Sequence, residues 1–442
     1  MNQLSRRDFG PDFRFGLATS SYQIEGAVAE EGRKPSIWDD FTRTPGKIKD
    51  GSNGDVACDH YHRLEADLDL LAWFGVDAYR FSIAWPRVVP DGRGAVNEKG
   101  LDFYERLVDG LLERGIAPCA TLYHWDLPSA LAGGWLARDT VHAFVEYAEA
   151  VAARLGDRVA LYHTHNEPWC QAFLGYQVGM FAPGQRELGA ALTCAHHLLL
   201  SHGLATTALR ARVKAPLGIS LNFLPAHPAS DSAEDAGAAR RVDGNFNRWF
   251  LEPLLGRGYP ADMVAHYGAA MPRVSDADLG AMAVPLDALG VNYYERTVVA
   301  HDPNGGYLMT RRIRDTGLPR TADREIYAAG LRELLVRLHR EYALPRLLVT
   351  ENGAAFDDTL EADGAVHDAG RVDFLREHLS ETLAARREGV PVEGYFAWSL
   401  MDNFEWSEGY TLRYGLCHVD FATQERRPKD SAKFFRDVCQ RG

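Results

Sequence analysis

The chain of 442 residues carries 61 acidic and 48 basic side chains, and the resulting net charge of −13 disfavours nucleic acid and anionic lipid as partners. A hydrophobic fraction of 46% and a charged fraction of 25% are typical of a globular protein with a sizeable core. No apolar stretch reaches the length of about 18 residues that a membrane-spanning helix requires, so we expect no membrane association.

The amino-terminal segment needs to be distinguished from an export signal. SRRDFGPDF, at residues 5–13, superficially resembles a twin-arginine motif. Asp12 and Arg14 interrupt the apolar stretch that such a signal needs, and we expect FRFGLATS (13–20) to form a strand instead. The six cysteines are scattered without any C-x-x-C spacing. We therefore predict reduced thiols and a cytoplasmic protein.

Eight apolar stretches typical of buried strands follow one another along the chain. Between them lie segments with an apolar stripe at helical spacing, such as 101–115, 143–157 and 328–342. Strands and helices that alternate in this way predict a parallel sheet covered by helices, and eight strands close a (β/α)8 barrel. We predict a single α/β domain of this type over residues 1–442, with elaborated loops. The predicted strands are 13–20, 77–85, 117–125, 158–167, 215–223, 286–294, 346–351 and 393–401.

A doubly wound open sheet is the alternative architecture. It is disfavoured because no glycine-rich dinucleotide-binding turn follows the first predicted strand. The polar stretches 228–244, 301–325 and 357–370 are interpreted as loop insertions within the one domain.

Polar and aromatic side chains recur where the predicted strands end. In a (β/α)8 barrel the active site lies at these carboxyl ends. A lone carboxylate there commonly caps a helix, but two glutamates on separate strands among aromatic and amide side chains suit a ligand with many hydroxyl groups. In chain order these residues are Gln23, Glu25, Arg80, His124, Trp125, Asn166, Glu167, Asn222, Asn292, Tyr294, Glu351, Trp398, Glu405 and Trp406.

Four motifs, spread over nearly the whole chain, carry a resemblance to a known family. They are similar to glycoside hydrolase family 1, the β-glucosidase family of retaining enzymes on a (β/α)8 barrel. The resemblance implies an enzyme that needs no cofactor and no metal. The motifs are FRFGLATSSYQIEG (13–26), HNEPW (165–169), VTENG (349–353) and SLMDNFEWSEGY (399–410).

The resemblance also implies roles for individual residues. Glu167 matches the acid/base and Glu351 the nucleophile, with Arg80 as charge partner and Tyr294 as hydrogen-bond partner of Glu351. A retaining glycosidase needs these carboxyl groups about 5–5.5 Å apart, with the acid able to hold a proton near neutrality. The expected substrate-binding residues are Gln23, His124, Trp125, Asn166, Asn292, Tyr294, Trp398, Glu405 and Trp406.

Two positions bear on substrate preference. Relatives that act on 6-phosphorylated sugars usually present Ser where this chain has Glu405, and a glutamate there would repel a phosphate dianion, so a 6-phospho-β-glucosidase is disfavoured. Arg324 occupies the place of a Trp that commonly flanks the leaving group, and Cys170, Met180 and Phe181 are expected at the same entrance. The preference for the leaving group therefore stays open.

Other functions were weighed against this one. His163 and His165 form an H-x-H pair of the kind that binds zinc in some barrel hydrolases, with His124 as a further candidate ligand. A catalytically silent sugar-binding protein would lack one of the two glutamates.

We predict hydrolysis of terminal β-D-glucosyl residues from aryl or alkyl glucosides, cellobiose and short cello-oligosaccharides. A broad β-glycosidase that prefers galactosides or fucosides is the nearest alternative, and homo-oligomerisation stays open.

Overall fold

The structure is a computed structural model that describes residues 4–342, 344 and 346–440. Parallel strands form a closed barrel in its centre, and two small sheets lie outside the barrel. The strands are β1 (Arg14–Ala18), β2 (Ala78–Ser82), β3 (Ala117–Tyr123), β4 (Leu161–Asn166), β5 (Leu217–Phe223), β6 (Ala226–Pro228), β7 (Ala288–Tyr293), β8 (Thr297–His301), β9 (Thr310–Ile313), β10 (Leu347–Asn352), β11 (Val392–Trp398), β12 (Cys417–Asp420) and β13 (Glu425–Pro428).

Helices surround the barrel, and none in the described residues is long and apolar enough to cross a membrane. Two π-helical segments, Cys170–Val178 and Gly244–Arg248, accompany the α-helices. The α-helices are α1 (Arg6–Phe9), α2 (Ser21–Ile24), α3 (Ile37–Thr42), α4 (Leu64–Phe74), α5 (Trp85–Val88), α6 (Glu98–Glu113), α7 (Asp139–Leu155), α8 (Leu188–Arg210), α9 (Ala233–Asp243), α10 (Trp249–Leu254), α11 (Ala261–Tyr267), α12 (Asp276–Met282), α13 (Ala329–Tyr342), α14 (Ala369–Arg387) and α15 (Asp430–Gln440).

The barrel confirms the predicted fold class. Around the barrel the strand order is β1-β2-β3-β4-β5-β7-β10-β11, and β11 pairs with β1 to close it. Each of these eight strands coincides with one of the eight predicted stretches, although β10 ends one residue later than predicted, at Asn352, and β11 begins one residue earlier, at Val392. Every residue of β2, β4, β5, β7 and β10 is buried, because one face of each strand lines the barrel and helices cover the other.

The predicted helices are also confirmed. Segments 101–115, 143–157 and 328–342 correspond to α6, α7 and α13. In α6 the apolar stripe, which includes Leu101, Leu107 and Leu111, is buried. A helix that buries such a stripe while its opposite face stays polar is typical of the outer layer of a barrel.

The interpretation of 228–244 as a loop is wrong. Most of this stretch forms α9, whose amide at Asp235 donates to the Ser232 side chain at the helix start. Ala238, Ala239 and Val242 pack against Val299, and β6, β8 and β9 form a small sheet beside the barrel. The polar composition concealed this helix because only a narrow alanine-rich face is buried.

A buried ion-pair cluster joins the loops that follow β10 and β11. The ammonium group of Lys429 donates to Asp402 at 2.8 Å and also to Asp358, and all three side chains are at most 1% exposed. Burial alone would raise the pKa of Asp402, but the positive charges of Lys429 and Arg413 outweigh burial and hold this pKa below its ordinary value. The cluster therefore anchors the loop that carries Glu405 and Trp406.

Lys429→Met should destabilise the fold, because it leaves two buried carboxylates without their shared cation. We expect the free energy of unfolding to fall by about 3–5 kcal/mol, measured by urea-induced unfolding. The matched control is Lys433→Met, which removes an ion pair to Asp430 from a side chain that is 51% exposed. Its expected cost is about 1 kcal/mol or less. Equal losses in the two variants would contradict the anchoring role of the cluster.

Candidate active site

A cavity of about 430 Å³ opens at the carboxyl ends of the barrel strands. A larger cavity of about 840 Å³ lies at the opposite end of the barrel, lined by residues such as Arg14, Ala117 and Arg346. Neither Glu167 nor Glu351 lines this larger cavity. The position of the smaller cavity, together with its chemistry, makes it the candidate active site. The sequence-predicted residues that line it are His124, Trp125, Glu167, Cys170, Met180, Phe181, Asn222, Asn292, Tyr294, Arg324, Glu351, Trp398, Glu405 and Trp406.

The remaining predicted residues lie just behind the cavity wall, with one exception. Gln23, Arg80 and Asn166 are buried and contact residues that line the cavity. Glu25 is the exception, because it pairs with Arg87 at 3.0 Å and accepts a hydrogen bond from Tyr104 at 2.6 Å. The interpretation of Glu25 as one of the polar side chains that form the site at the strand ends is therefore wrong.

Glu351, on β10, is held by two donors. Arg80 Nη1 donates to its Oε1 at 2.6 Å, and the Tyr294 hydroxyl donates to its Oε2 at 2.7 Å. Both carboxylate oxygens are thus engaged, one of them by a buried guanidinium. Charge-assisted hydrogen bonds of this kind stabilise the ionised form and fix the orientation of the carboxylate.

Glu167 follows β4 and has a backbone φ of +48°. This is the left-handed region of backbone conformation, which residues other than glycine rarely adopt. Its amide donates to the Ser220 carbonyl at 2.9 Å. Asn292 Nδ2 donates to its Oε1 at 2.7 Å, and the Cys170 thiol donates to its Oε2 at 3.1 Å. Backbone strain of this kind clusters at functional sites.

A continuous hydrogen-bond chain connects the two glutamates. Asn166 Oδ1 accepts from Arg80 Nη2 at 2.6 Å and from Asn292 Nδ2 at 3.0 Å. Because Arg80 also binds Glu351 and Asn292 also binds Glu167, the order is Glu351–Arg80–Asn166–Asn292–Glu167. One buried polar network therefore positions both carboxyl groups.

The two ends of this network differ in electrostatics. Burial raises the pKa of Glu167 to about 7, and the negative charge of Glu351 adds to the effect. Glu167 therefore keeps a proton near neutrality.

Burial and the charge of Arg80 hold the pKa of His124 well below its ordinary value, so its neutral Nε2 can accept a hydrogen bond from the Asn166 amide at 3.0 Å.

Aromatic rings and a third glutamate form another part of the cavity wall. The ring of His124 lies nearly parallel to Trp398 and to Trp406, with 5.9 Å between ring centroids in each case. Gln23 Nε2 donates to Glu405 Oε2 at 3.3 Å, and burial raises the pKa of Glu405 to about 8. This wall combines apolar ring faces with hydrogen-bonding groups, which is what a sugar ring requires.

The H-x-H pair does not form a metal site. His163 hydrogen-bonds with Ser220 on β5, whereas His165 hydrogen-bonds with Ser201 on α8. The β4–β5 register shifts between His163 and Asn166, so alternation along the strand does not hold at this point. Among the described residues, no group of three or more His, Cys, Asp or Glu side chains is placed to hold a metal ion.

Several residues that line the cavity were not found from the sequence. Glu295 lies two residues after β7, and Arg312 lies on β9, which pairs with β8 as an antiparallel hairpin. The PNGG turn (303–306) is a local signal for this hairpin, but the stretch 301–325 was interpreted as a loop insertion. The other residues in this class are Trp169, Leu174, Phe223, Leu224, Phe246, Asp323 and Tyr414.

Comparisons with known proteins cover the whole chain. A family model described as glycosyl hydrolase family 1 matches residues 5–442. A protein named beta-glucosidase from Agrobacterium sp. is 48% identical and covers 98% of this chain and 95% of its own length. A bifunctional beta-D-glucosidase/beta-D-fucosidase from Bifidobacterium breve is 46% identical and covers 97% of both chains. A beta-glucosidase structure from Thermotoga maritima, in complex with deoxynojirimycin, has a TM-score of 0.96 at 43% identity over 98% of both chains.

Glu351→Gln should lower the pKa of Glu167 from its value of about 7, because it removes the negative charge that adds to burial in raising it. The carboxyl stretch of Glu167 in infrared difference spectra, followed against pH, measures this change. The band is assigned by its loss in Glu167→Gln. Glu361→Gln, at an exposed position in the loop after β10, should leave the titration unaltered. An unaltered titration in Glu351→Gln would rule out the electrostatic link.

Proposed function

Because the chain belongs to glycosyl hydrolase family 1, we propose that Glu167 and Glu351 hydrolyse terminal β-D-glucosyl residues with retention of configuration. The chain acts as one glycoside hydrolase domain, a β-glucosidase that uses no metal and no cofactor. The observation that carries this proposal is the contrast between the two glutamates. One is bound by a guanidinium and a phenol, and the other is buried with a pKa of about 7.

In the first step the Glu351 carboxylate attacks the anomeric carbon, and the bond from this carbon to the glycosidic oxygen breaks. Glu167 gives its proton to the departing oxygen, so that the leaving group departs neutral. A glucosyl ester on Glu351 results. Arg80 and Tyr294 support this step, since they hold both oxygens of Glu351 in place before the substrate arrives.

In the second step water attacks the same carbon and displaces Glu351. Formation of the ester has removed the negative charge of Glu351, and this charge is one of the causes that raise the pKa of Glu167. The pKa of Glu167 therefore falls in the intermediate, and the group changes from acid to base. Glu167 takes the proton of the water, and the second inversion restores the original configuration.

The sugar is bound by the wall opposite the leaving group. Asn166 lies between the two glutamates in the hydrogen-bond chain, which suits a contact to the 2-hydroxyl that strengthens in the transition state. Glu405 can accept from two neighbouring hydroxyl groups, O4 and O6. Trp398 offers a ring face to the apolar side of the sugar. The other groups proposed to bind the sugar are Gln23, His124, Trp125, Asn292, Tyr294 and Trp406.

The substrates proposed are aryl and alkyl β-glucosides, cellobiose and short cello-oligosaccharides. β-D-Fucosides are the favoured second class, because a relative that is 46% identical is named as acting on both sugars. A 6-phosphorylated sugar would place its phosphate beside Glu405, in a buried part of the wall where burial already disfavours the charged form of that glutamate, so a phosphate dianion is unfavourable there. The cytoplasmic location stays a prediction, and homo-oligomerisation stays open.

Glu167→Ala should affect substrates unequally, because only a poor leaving group needs the proton. We expect kcat/KM on cellobiose to fall by at least about 10²-fold, with a far smaller loss for 2,4-dinitrophenyl β-glucoside. The wild-type rate on cellobiose should decline as pH rises through about 7, where Glu167 loses its proton, and the variant should lack this decline. Glu361→Ala, at an exposed position, serves as the control. Equal losses on the two substrates would overturn the role of Glu167.

A further inference from the structure

The mouth of the catalytic cavity carries a positively charged segment on an acidic protein. We name residues 311–324, RRIRDTGLPRTADR, the basic rim. It contains five arginines against two aspartates, whereas the whole chain has a net charge of −13. Two of its arginines, Arg312 and Arg324, line the cavity that contains Glu167 and Glu351.

Most of this positive charge is not compensated locally. Arg312 pairs with Glu295, and Arg324 pairs with Asp323 at 2.9 Å. In the described part of the chain no ion pair involves Arg311, Arg314 or Arg320. Uncompensated charge at the rim of a cleft attracts ligands of the opposite sign.

Arg324 is held in place, yet its donors remain available. Its guanidinium carbon lies 4.5 Å from the ring centroid of Tyr294, and its Nε donates to Asp323, which also accepts from the Tyr414 hydroxyl at 2.7 Å. Neither terminal amino group of Arg324 has a hydrogen-bond partner among the described residues. A fixed guanidinium with two free amino groups matches the two oxygens of a carboxylate.

Arg324 lies in the more exposed part of the cavity, on the side from which a leaving group would depart to solvent. Trp398, Trp406 and His124 are almost completely buried, whereas the side chain of Arg324 is 33% exposed and Met180 is 44% exposed. The outer part of the cavity also offers two aromatic rings, Trp169 and Phe246, whose centroids lie 4.0 Å apart. An aromatic ring and a negative charge can therefore be bound at the same entrance.

We propose that the cavity is selective for β-glucosides whose aromatic aglycone carries a carboxylate, which Arg324 binds and the basic rim attracts. This inference rests on the proposed β-glucosidase function and names the substrate class of that site. Hydroxybenzoic acid glucosides are the simplest members of the class. The ring contacts Trp169 and Phe246, and the carboxylate forms paired hydrogen bonds with the free amino groups of Arg324.

The test compares kcat/KM for 4-carboxyphenyl β-D-glucoside with that for the neutral 4-carbamoylphenyl β-D-glucoside. The ratio of these two values should fall at least about tenfold in Arg324→Met, the effect of losing one charged hydrogen-bonding contact. Arg324→Lys, which keeps the charge, should retain part of the ratio. The matched control is Arg7→Gln, which removes an exposed arginine from α1, before the first barrel strand, and should leave the ratio unchanged.

An unchanged ratio in Arg324→Met would overturn the inference while leaving the proposed function intact. A second measurement needs only the wild type. There 4-hydroxybenzoate should inhibit hydrolysis of 4-nitrophenyl β-glucoside at lower concentration than 4-hydroxybenzamide does, and added salt should reduce this difference. Equal inhibition by the two compounds would also overturn the inference. Failure of the wild type to hydrolyse any β-glucoside would instead overturn the proposed function, and the inference with it.

Discussion

The proposed catalytic site depends on one buried guanidinium, that of Arg80. It donates to Glu351 and to Asn166, both at 2.6 Å, and it is the positive charge that compensates Glu351 inside the barrel. A buried carboxylate without such a partner is strongly unfavourable. Asn166 also accepts a hydrogen bond from Asn292, and Asn292 donates to Glu167. The same guanidinium therefore also helps to orient Glu167 on the opposite side of the site.

Three glutamates in one cavity acquire different properties from their surroundings. Glu351 is bound by Arg80 and Tyr294, whereas Glu167 is buried beside a negative charge and has a pKa of about 7. Among the described residues the Glu405 carboxyl accepts one hydrogen bond, from the Gln23 amide, and burial, which outweighs the nearby charge of Arg324, raises its pKa to about 8. These different surroundings support the roles proposed for the three side chains, Glu351 as nucleophile, Glu167 as acid and Glu405 as sugar-binding group.

The parts of the fold that were predictable follow from local composition. Barrel strands such as β5 and β10 are buried on both faces, so each appears as a mainly apolar stretch with polar residues near its end, Asn222 in β5 and Glu351 and Asn352 in β10. Two features of the site were not predicted. The β8–β9 hairpin brings Arg312 to the cavity, and its PNGG turn (303–306) lay inside a stretch that was interpreted as a loop. The β4–β5 register shifts between His163 and Asn166, and no sequence signal marks this irregularity.

The central claim, that Glu351 forms a covalent bond to the sugar, is tested most directly with Glu351→Gly and added azide. The variant should not hydrolyse 2,4-dinitrophenyl β-glucoside alone, because no nucleophile remains on that face of the sugar. Azide should restore turnover by occupying the vacated space, and NMR should identify the product as the α-glucosyl azide, since one displacement inverts the configuration. Hydrolysis at the wild-type rate without azide, or a β-configured azide product, would contradict the account.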